Sequence, residues 1–165
     1  MANRLRQLGY EVVTLDRVYR YCPTIWTDIL RWQYRKWFSP GHFYHIVASP
    51  PCEEYSQAKT TKERNLAYAD KCVCTTLEIV RYFRPPIWWM ENLRQGLLRH
   101  HPFMNGVPYC DVDYCQFSDW GYKKPTRIWG NAHIGGLPPN LCDPANDDQW
   151  GMKKGTSRVF GGQPH

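Results

Sequence analysis

Three residues of the sequence, Cys52, Glu91 and Arg127, supply a thiol, a carboxyl group and a guanidinium group. Cys52 follows a short apolar run that two prolines stop, and Glu91 follows the apolar run 87–90. Short apolar runs of this kind predict buried strands, and consecutive parallel strands tend to be neighbours in a sheet. Because ligands bind at the carboxyl edge of such sheets, we expect Cys52 and Glu91 to face one cleft.

This combination of groups is suited to attack on an electron-poor ring. A cation such as Arg127, together with a helix N-terminus, favours the nucleophilic thiolate form of a neighbouring cysteine. A carboxyl group at the end of a buried strand, in a mostly apolar pocket, could protonate the ring under attack. The structural alternatives are a buried thiol at Cys52 and a salt bridge or cap at Glu91.

The elements that position these residues follow from hydrophobic patterning, which predicts an α/β fold with a mainly parallel sheet. The segment 17–43, dense in Arg, Tyr and Trp, favours either nucleic-acid stacking or an amphipathic helix packed by its aromatic side chains. The polar segment 57–64 predicts a mobile loop. The remaining predictions are a helix end at 3–8, strands at 10–16, 46–48 and 87–92, a short strand or turn at 27–30, a helix from 66 to 83 capped by Asn65, and a hairpin at 107–131.

Composition narrows the class of protein. The net charge of +6 and the aromatic content of 15% favour a folded domain with a polyanionic partner such as nucleic acid. Seven scattered cysteines, with no signal peptide and no apolar run long enough to span a membrane, predict a soluble intracellular protein with reduced thiols. Because no cysteine pair has the C-x-x-C spacing of a zinc site, we expect no metal.

Three motifs in this order resemble those of the cytosine C5-specific DNA methyltransferases. The sequence SPPC at 49–52, followed by Tyr55-Ser56, resembles the family's Pro-Cys signature, and ENL at 91–93 is similar to its Glu-Asn-Val motif. The sequence GYKKPTRIWG at 121–130 resembles the Gln-x-Arg-x-Arg segment that precedes a strand. The resemblance covers roughly residues 7–131 and is greatest to the compact proteins of phages and viruses.

The resemblance implies an S-adenosylmethionine-dependent methyltransferase fold, which is Rossmann-like and three-layered with an antiparallel edge hairpin. It implies transfer of a methyl group from S-adenosylmethionine to C5 of a cytosine flipped out of DNA. By this resemblance Cys52 adds to cytosine C6, Glu91 holds and protonates N3, and Arg127 positions the base and stabilises charge.

The resemblance also implies two sets of binding residues. Asp16 would bind the cofactor ribose, Asp28 would lie near the adenine amino group, and Pro50 would shape the cofactor side of the loop. The residues implied on the substrate side are Pro51, Ser56, Asn92 and Lys124.

Two parts of the family pattern have no counterpart in the sequence. The Phe-x-Gly-x-Gly strand and turn that wraps the cofactor is expected to precede residue 1, so the first strand is predicted to be missing. A target-recognition domain is not evident either. We therefore predict an incomplete catalytic domain at 1–131 and a loop-rich extension at 132–165, with a second chain or an N-terminal segment completing the cofactor site.

Other functions remain open at the level of the sequence. The chain could bind nucleic acid (DNA, with RNA as an alternative) without catalysis, or serve as a subunit of a split enzyme. An amino (N4 or N6) DNA methyltransferase is a further alternative, because SPP at 49–51 fits the start of its catalytic loop. Cys52 in the place of an aromatic residue, and Glu91 with Asn92, argue against that alternative.

Overall fold

The computed structural model describes residues 2–113 and 124–131, and these residues form a mixed α/β structure. The predicted extension at 132–165 and the residues 121–123 of the predicted hairpin turn lie outside this part of the chain. None of the helices in the described part has the length and hydropathy needed to cross a membrane. The helices are α1 (Ala2–Gln7), α2 (Tyr34–Trp37) and α3 (Leu66–Phe83), and the strands are β1 (Leu15–Asp16), β2 (Ile25–Trp26), β3 (His45–Ala48), β4 (Ile87–Leu93), β5 (Tyr109–Asp113) and β6 (Pro125–Gly130).

The chain divides into two compact units, the first of which comprises Met1–Ile46 and Asn65–Pro86. In this unit β1 and β2 pair in parallel, with Asp16 opposite Trp26. The strand predicted at 10–16 is wrong in extent, because only its last two residues pair. The residues 27–30, predicted as a short strand or its exit turn, follow β2 and lead into a 3-10 helix at Ile29–Arg31, which agrees with the turn.

The core of the first unit is aromatic. Trp32, Tyr34 and Phe38 surround Phe83 of α3, with ring centroids 5.7 to 6.4 Å from the Phe83 ring. The segment 17–43 is not the amphipathic helix considered from the sequence, because its longest helix is the four-residue α2. Its aromatic side chains nevertheless divide between this core and the surface, where Trp37 is 68% exposed.

Helix α3 confirms the predicted helix and its predicted start. The side chain of Asn65 accepts a hydrogen bond from the Tyr68 amide and thereby caps the first turn. Apolar residues at helical spacing bury one face, which includes Val73, Leu77 and Phe83. The helix ends at Phe83, and its C-cap Arg84 adopts the left-handed conformation before the two prolines.

The second unit, which comprises Val47–Arg64 and the residues from Ile87 onward, contains most of a four-stranded sheet. The strand order is β3–β4–β6–β5, and β6 runs antiparallel to both of its neighbours. The antiparallel hairpin predicted for β5 and β6 is confirmed. Strand β6 lies between β4 and β5 and runs against both of them, so β4 and β5 run in the same direction. The mainly parallel character of the whole sheet stays a prediction.

Candidate active site

The Cys52 loop, defined as residues 49–64, begins where β3 ends and is joined to β4 by Asn92. The Asn92 amide donates a 3.3 Å hydrogen bond from Nδ2 to the Pro50 carbonyl, while Oδ1 accepts one from the Leu93 amide. Asn92 is fully buried, and its predicted contact with substrate stays a prediction. Pro50 is buried as well, and it shapes the loop without exposing its ring.

Cys52 lies at the start of the 3-10 helix Glu53–Tyr55 and is a half-buried free thiol. The Tyr55 amide donates to the Cys52 carbonyl at 3.2 Å. The Tyr55 side chain is fully buried, and its ring meets His101 edge to face at 5.6 Å. The backbone around Cys52 is therefore anchored by the buried residue three positions later.

The remaining loop residues form local hydrogen bonds, and the mobility predicted for 57–64 stays a prediction. The Ser56 hydroxyl accepts from the Ala58 amide at 3.2 Å, and the Lys59 amide donates to the Ser56 carbonyl at the same distance. Pro51 and Ser56, predicted on the substrate side, are both half-buried and retain exposed surface.

Glu91 forms an ion pair with Lys124, whose Nζ lies 3.1 Å from Oε1 of the carboxylate. The two side chains are 17% and 29% exposed, respectively. The expectation of a mostly apolar pocket around Glu91 is thereby corrected, because a cation occupies one side of the carboxyl group. The pair joins two residues that the sequence assigned separately, one to catalysis and one to substrate binding.

Arg127 is held by the outer strand of the sheet. Its guanidinium donates two hydrogen bonds to the Asp111 carboxylate, at 2.7 and 2.8 Å, and lies 3.7 Å from the centroid of the Tyr109 ring. The hydrogen bonds to Asp111 raise the pKa of Arg127 and outweigh the opposing effect of burial.

The register of the sheet separates Arg127 from Glu91. Arg127 stands opposite Asn92 and Asp111, whereas Glu91 stands opposite Ile128. Because neighbouring residues of a strand point to opposite faces, Arg127 and Glu91 project from different faces of the sheet. Among the described residues, Arg127 forms its ion pair with Asp111, so the predicted grouping of Arg127 with Glu91 is corrected.

The two carboxylates predicted at the cofactor lie in the first unit. Asp16 ends β1 and accepts a hydrogen bond from the Val18 amide at 2.7 Å through Oδ1. Asp28 accepts from the Leu30 amide at 2.8 Å and from the Tyr68 hydroxyl at 2.9 Å, through different oxygens. Burial and the hydrogen bond to Asp28 raise the pKa of Tyr68, which keeps this hydroxyl a donor.

Three other cysteines of the described part are poor candidates for a nucleophilic role. Burial is the main cause that raises the pKa of the Cys72, Cys74 and Cys110 thiols, which lowers their thiolate fraction at neutral pH. Cys22 is exposed on the first unit. Within residues 2–113 and 124–131, His, Cys, Asp and Glu side chains form no group of three or more that could hold a metal ion.

Comparison with known proteins decides the family. No protein-family model matches the sequence. A protein of frog virus 3 (isolate Goorha), named "Probable DNA (cytosine-5)-methyltransferase", is 32% identical over 127 residues, which cover 70% of this chain. The chain belongs to the cytosine-C5 DNA methyltransferase family. It spans 58% of the length of this viral relative.

Several residues of this methyltransferase-family chain were not found by sequence reasoning. Arg64 binds backbone carbonyl groups of the Cys52 loop, and Glu54 pairs with Lys59 inside the same loop. Asp111 and Tyr109 hold Arg127. The sequence indicated Asp111 and Tyr109 only through the alternating pattern of β5, which places both side chains on one face of the hairpin.

Proposed function

We propose that this chain carries the catalytic machinery of a DNA (cytosine-5)-methyltransferase, with Cys52 as nucleophile. The observation that supports this most is the tie between Asn92 and Pro50, which holds the Cys52 loop against the strand that carries Glu91. A thiol and a carboxylate on adjoining, mutually braced segments are the two groups that this chemistry requires.

The fold we propose is that of the S-adenosylmethionine-dependent methyltransferases. The parallel pairing of β1 with β2 and the insertion of antiparallel β6 between β4 and β5 are compatible with it.

In the proposed reaction the Cys52 thiolate forms a bond from Sγ to C6 of an extruded cytosine. The electron pair of the C5–C6 double bond moves to C4–C5, and that of the C4–N3 double bond moves to N3. N3 takes the proton of Glu91, whose carboxyl group enters this step protonated at Oε2, and C5 becomes nucleophilic. When bound, S-adenosylmethionine supplies an electrophilic methyl group to this carbon. Loss of the C5 proton to water then expels Cys52 as thiolate, and Glu91 recovers the N3 proton.

Lys124 and Asn92 assist this sequence as positioning residues. Lys124 pairs with Oε1 of Glu91. Oε2 of Glu91 has no hydrogen-bond partner among the described residues and is available to bind N3 of the base. Asn92 fixes the backbone two residues before Cys52. The role predicted for Arg127 in positioning the base is replaced by that of fixing β5 to β6, because Asp111 takes up its guanidinium.

The cofactor would be held at the carboxyl ends of β1 and β2. Oδ2 of Asp16 accepts no hydrogen bond from the described residues, so this oxygen is available to a ribose hydroxyl. Trp26, its partner in the parallel ladder, is 64% exposed and offers an apolar face to an adenine ring. Asp28 fits less well, since both of its oxygens already accept hydrogen bonds.

The test is incubation of the chain with tritiated S-adenosylmethionine and DNA, beside the Cys52→Ser variant. We expect tritium in DNA with the wild-type chain and only background with Cys52→Ser. DNA containing 5-fluorocytosine should trap a covalent adduct at Cys52, which an amino methyltransferase would not form. Absence of both transfer and adduct, with DNA binding retained, would reject this function.

A non-catalytic nucleic-acid-binding role is the second candidate, and exposed aromatic side chains favour it. Tyr19, Trp26 and Trp37 are each more than 60% exposed, and Lys36 lies over the Trp37 ring. Such rings can stack with unpaired bases. This candidate predicts tight binding to single-stranded nucleic acid that Cys52→Ser leaves unchanged, without methyl transfer.

A further inference from the structure

The Cys52 loop is folded around the guanidinium group of Arg64. Nη1 of Arg64 donates to the carbonyl groups of Glu54 and Ser56 at 3.0 and 2.6 Å, and Nη2 donates to the carbonyl of Lys59 at 2.9 Å. These three acceptors lie within the first seven residues after Cys52. A guanidinium group suits this task because its N–H donors have a fixed fork geometry, which a lysine ammonium lacks.

A second contact closes the same part of the loop. Lys59 Nζ lies 2.7 and 2.6 Å from the two carboxylate oxygens of Glu54, and these side chains are only 18% and 11% exposed. Glu54 thus takes part twice, through its backbone carbonyl to Arg64 and through its side chain to Lys59. Because Glu54 lies two residues after Cys52, both contacts constrain the backbone that carries the thiol.

We propose that Arg64 is a positioning residue that sets the location of the Cys52 sulfur for covalent addition. This role rests on the proposed function, in which Sγ must approach C6 of the base along a defined direction. A displacement of about 1 Å at a reacting atom can cost roughly 100-fold in rate without weakening substrate binding. Loss of Arg64 therefore slows addition while the affinity for DNA is retained.

The geometry favours this role over direct contact with a DNA phosphate. Both terminal nitrogens of Arg64 already donate to carbonyl groups of its own loop, and the residue is half-buried. A phosphate-binding Arg64 would instead govern the affinity and its dependence on salt concentration. The two roles thus differ in which measured quantity changes.

The experiment compares the full chain with Arg64→Lys, Arg64→Ala and, as a matched control, Lys62→Ala. Lys62 is an exposed cation of the same loop, so its removal changes the charge without removing the carbonyl contacts. The readouts are the rate of adduct formation with 5-fluorocytosine DNA in the presence of S-adenosylmethionine, and the Kd for that DNA. We expect a rate of adduct formation roughly 10- to 100-fold lower in both Arg64 variants, with a Kd within about threefold of wild type. Lys62→Ala should form the adduct at the wild-type rate.

A wild-type rate in Arg64→Lys would overturn the proposal, because lysine keeps the charge but not the fork. A large rise in Kd with an unchanged rate at saturating DNA would also overturn it, in favour of a phosphate contact. Partial recovery of Arg64→Ala by added guanidinium salt, at concentrations that leave the wild type folded, would support it.

A second readout needs no methyl transfer and so separates this inference from the proposed function. Alkylation of Cys52 by iodoacetamide, followed by mass spectrometry, reports its environment, with exposed Cys22 as the internal reference. Hydrogen exchange at the amides of Tyr55, Ser56 and Lys59 reports the loop backbone. If wild type forms no adduct, the proposed function fails, while several-fold changes in Cys52 alkylation and in loop exchange in Arg64→Lys would still support the positioning role. Unchanged values of both in a folded Arg64→Lys would reject it.

Discussion

The contacts of Arg127 favour a structural role in the sheet, and the catalytic role predicted from the sequence stays a prediction. Its guanidinium forms two charge-assisted hydrogen bonds to Asp111, through Nε and Nη2, and lies over the Tyr109 ring. The side chains of Arg127 and Asp111 are 12% and 32% exposed, so solvent screens the pair in part.

A double-mutant cycle with Arg127→Lys and Asp111→Asn tests this assignment by denaturant unfolding. Each single variant should lower the free energy of unfolding by about 1 kcal/mol, and the coupling energy should also be about 1 kcal/mol. Lysine serves as the charge-matched replacement, since it keeps the cation but not the paired hydrogen bonds. A coupling energy near zero, with methyl transfer lost only in Arg127→Lys, would restore the catalytic role predicted from the sequence.

His45 makes the free energy of unfolding depend on pH. Burial lowers the pKa of His45 from its ordinary value of 6.5, so the folded state binds this proton less readily than the unfolded state. Below about pH 6.5 the unfolded chain therefore binds more protons, and the free energy of unfolding falls as the pH falls from there toward the folded pKa. Unfolding titrations between pH 8 and 5 should show a shallower fall for His45→Gln. Parallel curves for the two proteins would contradict the assignment.

The candidate residues Cys52 and Glu91 could be identified from the sequence, but their neighbours could not. Cys52 and Glu91 follow short apolar runs, which is a local pattern. The pairing of Glu91 with Lys124 depends on how the hairpin returns to β4, and the separation of Arg127 from Glu91 depends on register. A shift of one residue in a strand exchanges its faces, and no local pattern specified this register.

Elements with regular periodicity were predicted well, and irregular ones were not. Helix α3 and strand β4 have clear patterns and clear ends, and both were confirmed. The segment 57–64 consists of polar residues without periodicity, and the hydrogen bonds of Arg64 to carbonyl groups of the Cys52 loop were not predicted. Because residues of every type carry a backbone carbonyl, hydrogen bonds of this kind cannot be predicted from sequence patterns.

The packing of β6 against β4 depends on Gly130, which has no side chain. A Cβ atom at Gly130 would collide with the Trp88 carbonyl oxygen and lie 2.9 Å from Cδ1 of Trp89. The Gly130→Ala variant must therefore displace β6 from β4 at the point where Gly130 stands opposite Trp89. We expect a loss of about 1–3 kcal/mol in the free energy of unfolding, which is typical of overpacking. An unfolding midpoint equal to that of the wild type would show that the strands adjust without cost.

At the scale of the whole molecule, charge and exposed aromatic surface were predictable from composition, whereas the division of the chain into two units was not. Composition predicted a basic, aromatic protein, and six aromatic side chains with more than 55% of their surface exposed lie in the first unit (Tyr10, Tyr19, Tyr21, Trp26, Trp37 and Tyr44). The aromatic residues that form the core, such as Tyr34, occur in the same stretch of sequence. Patterning over so short a range does not distinguish a ring that packs inward from one that faces solvent.

Binding of DNA should reflect the net charge of +6. Each phosphate that the protein neutralises contributes about −0.9 to the slope of log K against log salt concentration. If roughly half of the excess charge contacts phosphates, the slope is about −2.7, and affinity falls about 40-fold between 50 and 200 mM salt. Fluorescence anisotropy with a short duplex measures this slope directly.

Cys52→Ser is the control for this measurement, because it removes the proposed nucleophile without changing charge. The same slope for both proteins, with adduct formation only in the wild type, would separate electrostatic docking from chemistry. A slope near zero would mean that the basic surface does not contact phosphates. Affinity for single-stranded DNA that survives high salt would instead indicate stacking on Trp26 and Trp37, because stacking depends little on salt.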